Sequence, residues 1–257
     1  MDSSLVSIMQ PTYLPWCGYF DLIDRVSTFI FLDTVQFNKR SWQQRNRIRS
    51  KEGLIWLTVP VKVKGRYHQL IKDVEISDSL FYRKHLKTIE LNYKKAPFFY
   101  KYFEQFIWLF NQEFTSLLEL NISLIKLITR LLNINNTNFL MASDLGIIGK
   151  KRGEYLAELC HIVQGKNYLT PVGSLPYLMK DKIYFSNKNI QIFIHNYSHP
   201  VYQQVFQPFI PYMSIIDLLF NEGHKALSIL KSGRKPSISL SSFYENEKEY
   251  DSKTFEP

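Results

Sequence analysis

The chain has 257 residues, 45% of them hydrophobic and 21% charged, which suits one sizeable core and excludes global disorder. Basic residues number 32 and acidic ones 23, and the net charge of +9 favours anionic partners: phosphates, a membrane surface or nucleic acid. No run reaches the roughly 18 apolar residues of a membrane span, and the N-terminus shows no signal-peptide pattern. The two cysteines, Cys17 and Cys160, are too few for a disulfide framework or a cysteine-rich zinc site, so a reducing cytoplasm is expected.

Leu5 to Met9 is a short apolar run ending at Gln10-Pro11, which predicts a buried strand. A loop to Gly18 follows, then Tyr19 to Val26 with Phe20, Ile23 and Val26 at helical spacing, then a second apolar strand from Thr28 to Leu32. Strand, helix and strand in about thirty residues make a βαβ unit, and near-continuous apolar strands suit a mostly parallel sheet covered on both faces. Residues 54–63 and 70–76 are expected to be further strands. Helices are expected over 79–96, 97–113 and 115–133, the second with Pro97 near its start. Strands are expected from Asn138, at 168–170 and at 190–194, with helices over 150–164 and from Ile215. The expected architecture is one α/β domain over 1–240, with a helical subdomain at about 79–135. Residues 241–257 are expected to be a disordered acidic tail.

Three places carry candidate chemistry. The first is the loop after strand one, with Gln10, Pro11, Tyr13, Trp16, Gly18 and Tyr19. Ligands in open α/β sheets bind beyond the carboxyl ends of the strands, and a helix N-terminus there offers N–H groups to an anion. Tyr13, Trp16 and Tyr19 are rings on which a flat ligand can stack. The second is the acid-free run from Phe37 to Lys51, in which Lys39, Arg40, Arg45 and Arg47, with Gln44 and Asn46, suit phosphate oxygens. Gln36 precedes it, and Asp33, at the tip of strand two, is the nearest acid: a metal ligand, a base or an arginine's partner. The third is His195 and His199 after the strand at 190–194, candidate acid–base groups near neutral pH. No zinc spacing is present and no metal site is expected. The phosphate-loop, dinucleotide, nucleophile-elbow and kinase signatures are absent.

The run SIMQPTYLPWCGYFDLIDRVSTFIFLDTVQFNKRSWQQRNRI, the later SDLGIIGKKRGEYLAELCHIVQGKNYLTPVGSLPYL and the HPVYQQ segment resemble the WbqC-like family of bacterial proteins. The resemblance covers roughly residues 5 to 225. It implies an association with O-antigen and other surface-polysaccharide gene clusters, and some members have been proposed as glycine transferases acting on amino sugars. It carries over no agreed catalytic residues. The first run is also similar in layout to the opening of pantoate–β-alanine ligases, but Trp16 and Tyr19 stand where those have two histidines, so their adenylylation machinery is missing.

Together with the residue readings, the resemblance implies an enzyme of surface-polysaccharide biosynthesis. It would join an amino acid such as glycine to the amino group of a nucleotide-linked amino sugar, with Asp33, His195 or His199 taking the proton. ATP with Mg2+, or an acyl thioester, would supply the activated carboxyl group. The expected location is cytoplasmic or peripheral at the inner membrane. The alternative is a non-catalytic protein that binds a nucleotide sugar or nucleic acid, although no nucleic-acid motif is present.

Overall fold

The computed structural model describes residues 4–245. It opens with β1 (Leu5–Met9), α1 (Cys17–Arg25) and β2 (Thr28–Phe31), followed by an antiparallel hairpin of β3 (Arg45–Ser50) and β4 (Gly53–Thr58). Three helices come next: α2 (Phe81–Tyr93), α3 (Phe99–Phe110) and α4 (Leu117–Leu131). The chain then runs through β5 (Asn138–Met141), α5 (Arg152–Ile162), β6 (Asn167–Pro171), α6 (Leu175–Ser186) and β7 (Gln191–His195). It closes with α7 (Ile215–Glu222), α8 (Ala226–Ser232), β8 (Ile238–Ser239) and α9 (Leu240–Glu245). The fold is α/β, as the sequence predicts.

Six strands form one sheet in the order β5-β2-β1-β6-β7-β8, parallel except for the last. From the central β1 the chain builds outward through β2 to β5, then crosses to the other side of β1 at β6. That reversal places a crevice at the carboxyl ends of β1 and β6, where such sheets take ligands.

Strand periodicity sorts the side chains between two cores. Phe29 and Phe31 of β2 and Leu169 of β6 face a large cluster built by α1, α7 and the helical segment. Val6 and Ile8 of β1, Ile30 of β2 and Ile192 and Ile194 of β7 face a second cluster with α5 and α6. This two-sided burial is why the strands read as continuous apolar runs. The helices α2 to α4 enter between β2 and β5, and their aromatic residues, with Phe99 and Phe103 stacked at 4.4 Å, join the first cluster directly. Ser116 caps α4 by accepting the Glu119 N–H, which fixes where that helix starts.

Some elements differ from expectation. Residues 70–76 form a 3-10 turn at Ile71–Asp73 with isolated bridges, not a strand. β4 stops at Thr58 because Pro60 cannot donate to a ladder. The stretch Arg45–Ser50 is a strand, and α6 and α8 were not anticipated. Residues 240–245 are helical, with Leu240 and Phe243 buried in the second cluster. The rest of the expected tail, 246–257, lies outside the described residues.

Candidate functional site

The loop after β1 is held by side chains from the run before and within β3. Asn46 donates through Nδ2 to the carbonyls of Tyr13 (3.2 Å) and Leu14 (2.7 Å), fixing Leu14 at φ 44°. Gln43 donates to the Gln10 Oε1 (2.7 Å), and Asn121 donates to the carbonyls of Gln43 (2.8 Å) and Pro11 (3.4 Å). Gln44 ties the Arg40 N–H to the Val59 carbonyl. Gln36 donates to the Tyr67 carbonyl. These amides build the loop with the same groups the sequence offers to a ligand. Tyr13 is fully buried, its hydroxyl donating to His85 Nδ1 (2.8 Å), so it presents no stacking face. Tyr19 is buried too, with its hydroxyl on the Gln10 carbonyl.

Trp16 leads the loop into α1. Its indole lies against Gly18, where any Cβ would overlap the ring, so glycine is required by this close approach. The indole therefore roofs the first turn of α1, where the sequence suggests an open anion seat. It forms a wall with Tyr212 (ring centroids 5.4 Å apart) and stacks on His199 (6.0 Å, 13°).

That wall divides two cavities. The larger, about 900 Å3, opens at the carboxyl ends of β6 and β7, lined by Pro171 to Gly173, His195 to His199, Trp16, Phe209 and Tyr212. The smaller, about 250 Å3, lies on the other side, lined by Met9, Thr12, Tyr19, Trp42, Asn46 and Arg47, with Trp16 and Tyr212 shared. Together they occupy the crevice expected from the strand order.

His195 ends β7 and faces the larger cavity. Its Nε2 is 2.7 Å from Asp21 Oδ2, a fully buried carboxylate on α1. Arg234 bonds the other Asp21 oxygen through Nε (2.8 Å) and reaches Asp24 (2.5 Å). A carboxylate only accepts, so Nε2 carries the proton and Nδ1 keeps a lone pair. Burial pulls the imidazole pKa below its usual value, opposed by the Asp21 hydrogen bond, so the ring is neutral at pH 7. A neutral imidazole oriented by a carboxylate at the edge of a cavity has the form that general-base chemistry requires.

His199 donates through Nδ1 to the Pro200 carbonyl (2.8 Å), and its Nε2 is buried without a partner. Burial holds its pKa down at about 4, against that carbonyl bond, so it too is neutral. Asp33 is buried away from both cavity linings, with Oδ1 accepting the Ser143 N–H (3.0 Å) and Oδ2 unpartnered. It bridges β2 to the turn after β5.

The basic run separates by exposure. Lys39 and Arg40 are exposed, Arg40 at φ 62°. Arg45 lies 4.3 Å over the Trp56 ring, and Arg47 lies beside both rings, 5.3 Å from Trp42 and 5.8 Å from Trp56. Arg49 is buried, donating to the carbonyls of Ser50, Gly53 and Pro208.

Sequence reasoning missed Asp21, Arg234, Tyr212, Trp42 and Trp56. Asp21 and Asp24 sit three apart in a helix whose only other charged residue is Arg25, and that spacing was the available signal. Cys17 is buried between Asp217 and Asp21, and burial with those charges pushes its thiol pKa up, so it is not a nucleophile at neutral pH. Among the described residues, no three His, Cys, Asp or Glu side chains gather as a metal site, and no helix is long and apolar enough to cross a membrane.

Comparison with known proteins adds the lineage. An uncharacterised protein of Mycobacterium tuberculosis (strain ATCC 25618 / H37Rv), Rv1507c, is 36% identical over 235 residues, covering 90% of this chain and 99% of that protein. No solved structure matches significantly. The WbqC-like protein family matches residues 10–229, a span that takes in the loop after β1, the arginine–tryptophan hairpin and both histidines, and the chain belongs to that family.

Proposed function

We propose that this protein transfers an activated acyl group, such as a glycyl group, to the amino group of a nucleotide-linked amino sugar in surface-polysaccharide biosynthesis. The observation that carries the reading is the Asp21–His195 pair at the edge of the larger cavity. The amine nitrogen bonds to the acyl carbon, and the bond from that carbon to its phosphate or thiol leaving group breaks. The leaving group departs with the electron pair, and the amine's proton passes to His195 Nδ1. Asp21 stabilises the imidazolium so formed, while Arg234 holds the carboxylate in place. An ATP-derived acyl phosphate or adenylate, or a thioester, fits this chemistry. The Tyr13 and Tyr19 N–H groups are not available to an oxyanion, because they bond the carbonyls of Trp42 and Trp16.

The test is mass spectrometry on nucleotide-linked amino sugars incubated with the protein and glycine, using ATP with magnesium in one tube and a glycyl thioester in another. A glycyl mass gain in either tube supports acyl transfer, and the tube identifies the donor. A second reading, a binding protein without chemistry, is favoured by the exposed Trp42–Trp56 pair. Saturable sugar-nucleotide binding with no mass gain in either tube would select it.

A further inference from the structure

Trp42 and Trp56 are each 43% exposed, an uncommon position for the largest aromatic side chain. Their rings stand 5.4 Å apart at 33°. Strand register explains the arrangement: Arg47 pairs with Trp56 and Arg45 with Thr58, and alternate residues share a face, so both arginines flank Trp56. Trp42 comes from the turn before β3, and its carbonyl accepts the Tyr13 N–H of the loop after β1. Among the described residues, Lys39, Arg40, Arg45 and Arg47 pair with no carboxylate. The Arg47 Nε is buried with no acceptor. Two exposed rings thus lie beside guanidinium groups with no carboxylate partner, Arg47 donating through Nη2 only to the Tyr212 carbonyl (3.4 Å), and Trp42 and Arg47 also line the smaller cavity that abuts the larger one.

We propose that this hairpin face is the seat of a nucleoside diphosphate, the nucleotide half of the acceptor. The base stacks on the tryptophans, the diphosphate oxygens take the forks of Arg45 and Arg47, and the sugar passes Trp16 and Tyr212 toward His195. The assignment rests on the reading that the acceptor is nucleotide-linked. A nucleoside diphosphate matches the surface better than a nucleic-acid strand, because two rings and one slot of about 250 Å3 serve one base and not a run of them.

Tryptophan emission tests it without any acyl transfer. Trp108, on α3 and outside both cavities, is first changed to Phe to remove an unrelated signal. Uridine and guanosine diphosphates are titrated, with inorganic pyrophosphate and anionic phosphatidylglycerol vesicles as comparison ligands. The proposal expects saturable quenching by a nucleoside diphosphate. Trp56→Leu should weaken that binding roughly 5- to 100-fold, the range expected for one lost stacking contact, and leave pyrophosphate binding unchanged. Arg45→Gln should weaken both. Unchanged thermal unfolding confirms that each variant folds; if Trp56→Leu does not, Arg45→Gln alone decides. Nucleoside diphosphate affinity unchanged in both variants overturns the proposal, as does quenching by vesicles alone, which would make the face a membrane contact. If nucleotide binding behaves as expected and no mass gain is found, the seat stands and the acyl-transfer reading falls. If mass gain is found with unaltered KM in both variants, the reverse holds.

Discussion

At the scale of single residues, the proposed chemistry depends on which nitrogen of which histidine can accept a proton. Asp21 takes His195 Nε2, so Nδ1 is the nitrogen left to accept a proton, on a residue that lines the larger cavity. His195→Asn and Asp21→Asn should each lower kcat about 10²- to 10⁴-fold, the usual worth of a positioned general base, with sugar-nucleotide binding little changed. Steady-state kinetics that separate kcat from KM, alongside nucleotide binding, check this. Asp33→Asn should leave turnover within a few-fold of wild type, since Asp33 lines neither cavity. Histidines also govern the pH response. His85 accepts from Tyr13 and donates to the Thr58 carbonyl; burial lowers its pKa to about 4 against that carbonyl bond, and His199 sits at about 4. Both are neutral when folded and take a proton when unfolded below the ordinary pKa of about 6.5, so the unfolded state binds more protons in acid. Stability should therefore fall as pH drops from about 6.5 toward 4, with His85 alone contributing on the order of 3 kcal/mol. Denaturant unfolding at stepped pH measures it, and His85→Gln should flatten the slope.

At the scale of elements, the loop after β1 and the β3–β4 hairpin act as one unit. Asn46 joins them, and Asn46→Ala strands two loop carbonyls, at a cost of about 1–3 kcal/mol. Binding should fall further than stability alone requires, because the Trp16–Tyr212 wall stands on that loop. Calorimetric unfolding together with ligand titration separates the two effects. The same unit marks where sequence reading succeeded and where it stopped. The β1–α1–β2 opening was legible because Val6, Ile8, Phe29 and Ile30 are buried on both sheet faces and leave an unbroken apolar signature. The strand Arg45–Ser50 was not, because its outward face is arginine laid on tryptophan, and Ile48 is its one apolar residue. Residues 70–76 are rich in apolar residues but form only isolated bridges around a 3-10 turn. The tryptophan loop was singled out by its density of special residues. Most of its polar groups proved to be bonded within the protein, a distinction that needs tertiary contacts.

At the scale of the whole molecule, buried carboxylates hold distant segments to the site. Asp217 on α7 accepts from the hydroxyls of Tyr93 and Tyr202, both at 2.7 Å, and from Gln204 at 2.8 Å, so one side chain joins α2, α7 and the segment after β7. Asp217→Ala leaves those donors buried and unpaired and should cost about 3–5 kcal/mol, a large share of the 5–15 kcal/mol typical of a domain. The measured Tm should drop steeply, whereas Asp217→Asn should be milder. Asp21 plays the matching part for α1, β7 and Arg234, and its spacing to Asp24 could mark it in sequence but not its partners, which lie 174 and 213 residues away. The net positive charge favours an anionic partner, and on the hairpin face Arg45 and Arg47 have no carboxylate partner among the described residues. The most direct measurement is the glycyl mass gain on a nucleotide-linked amino sugar, made in parallel with wild type and His195→Asn. The account predicts a gain with wild type and its near loss in the variant, with nucleotide binding intact. Equal gain from both proteins would contradict it.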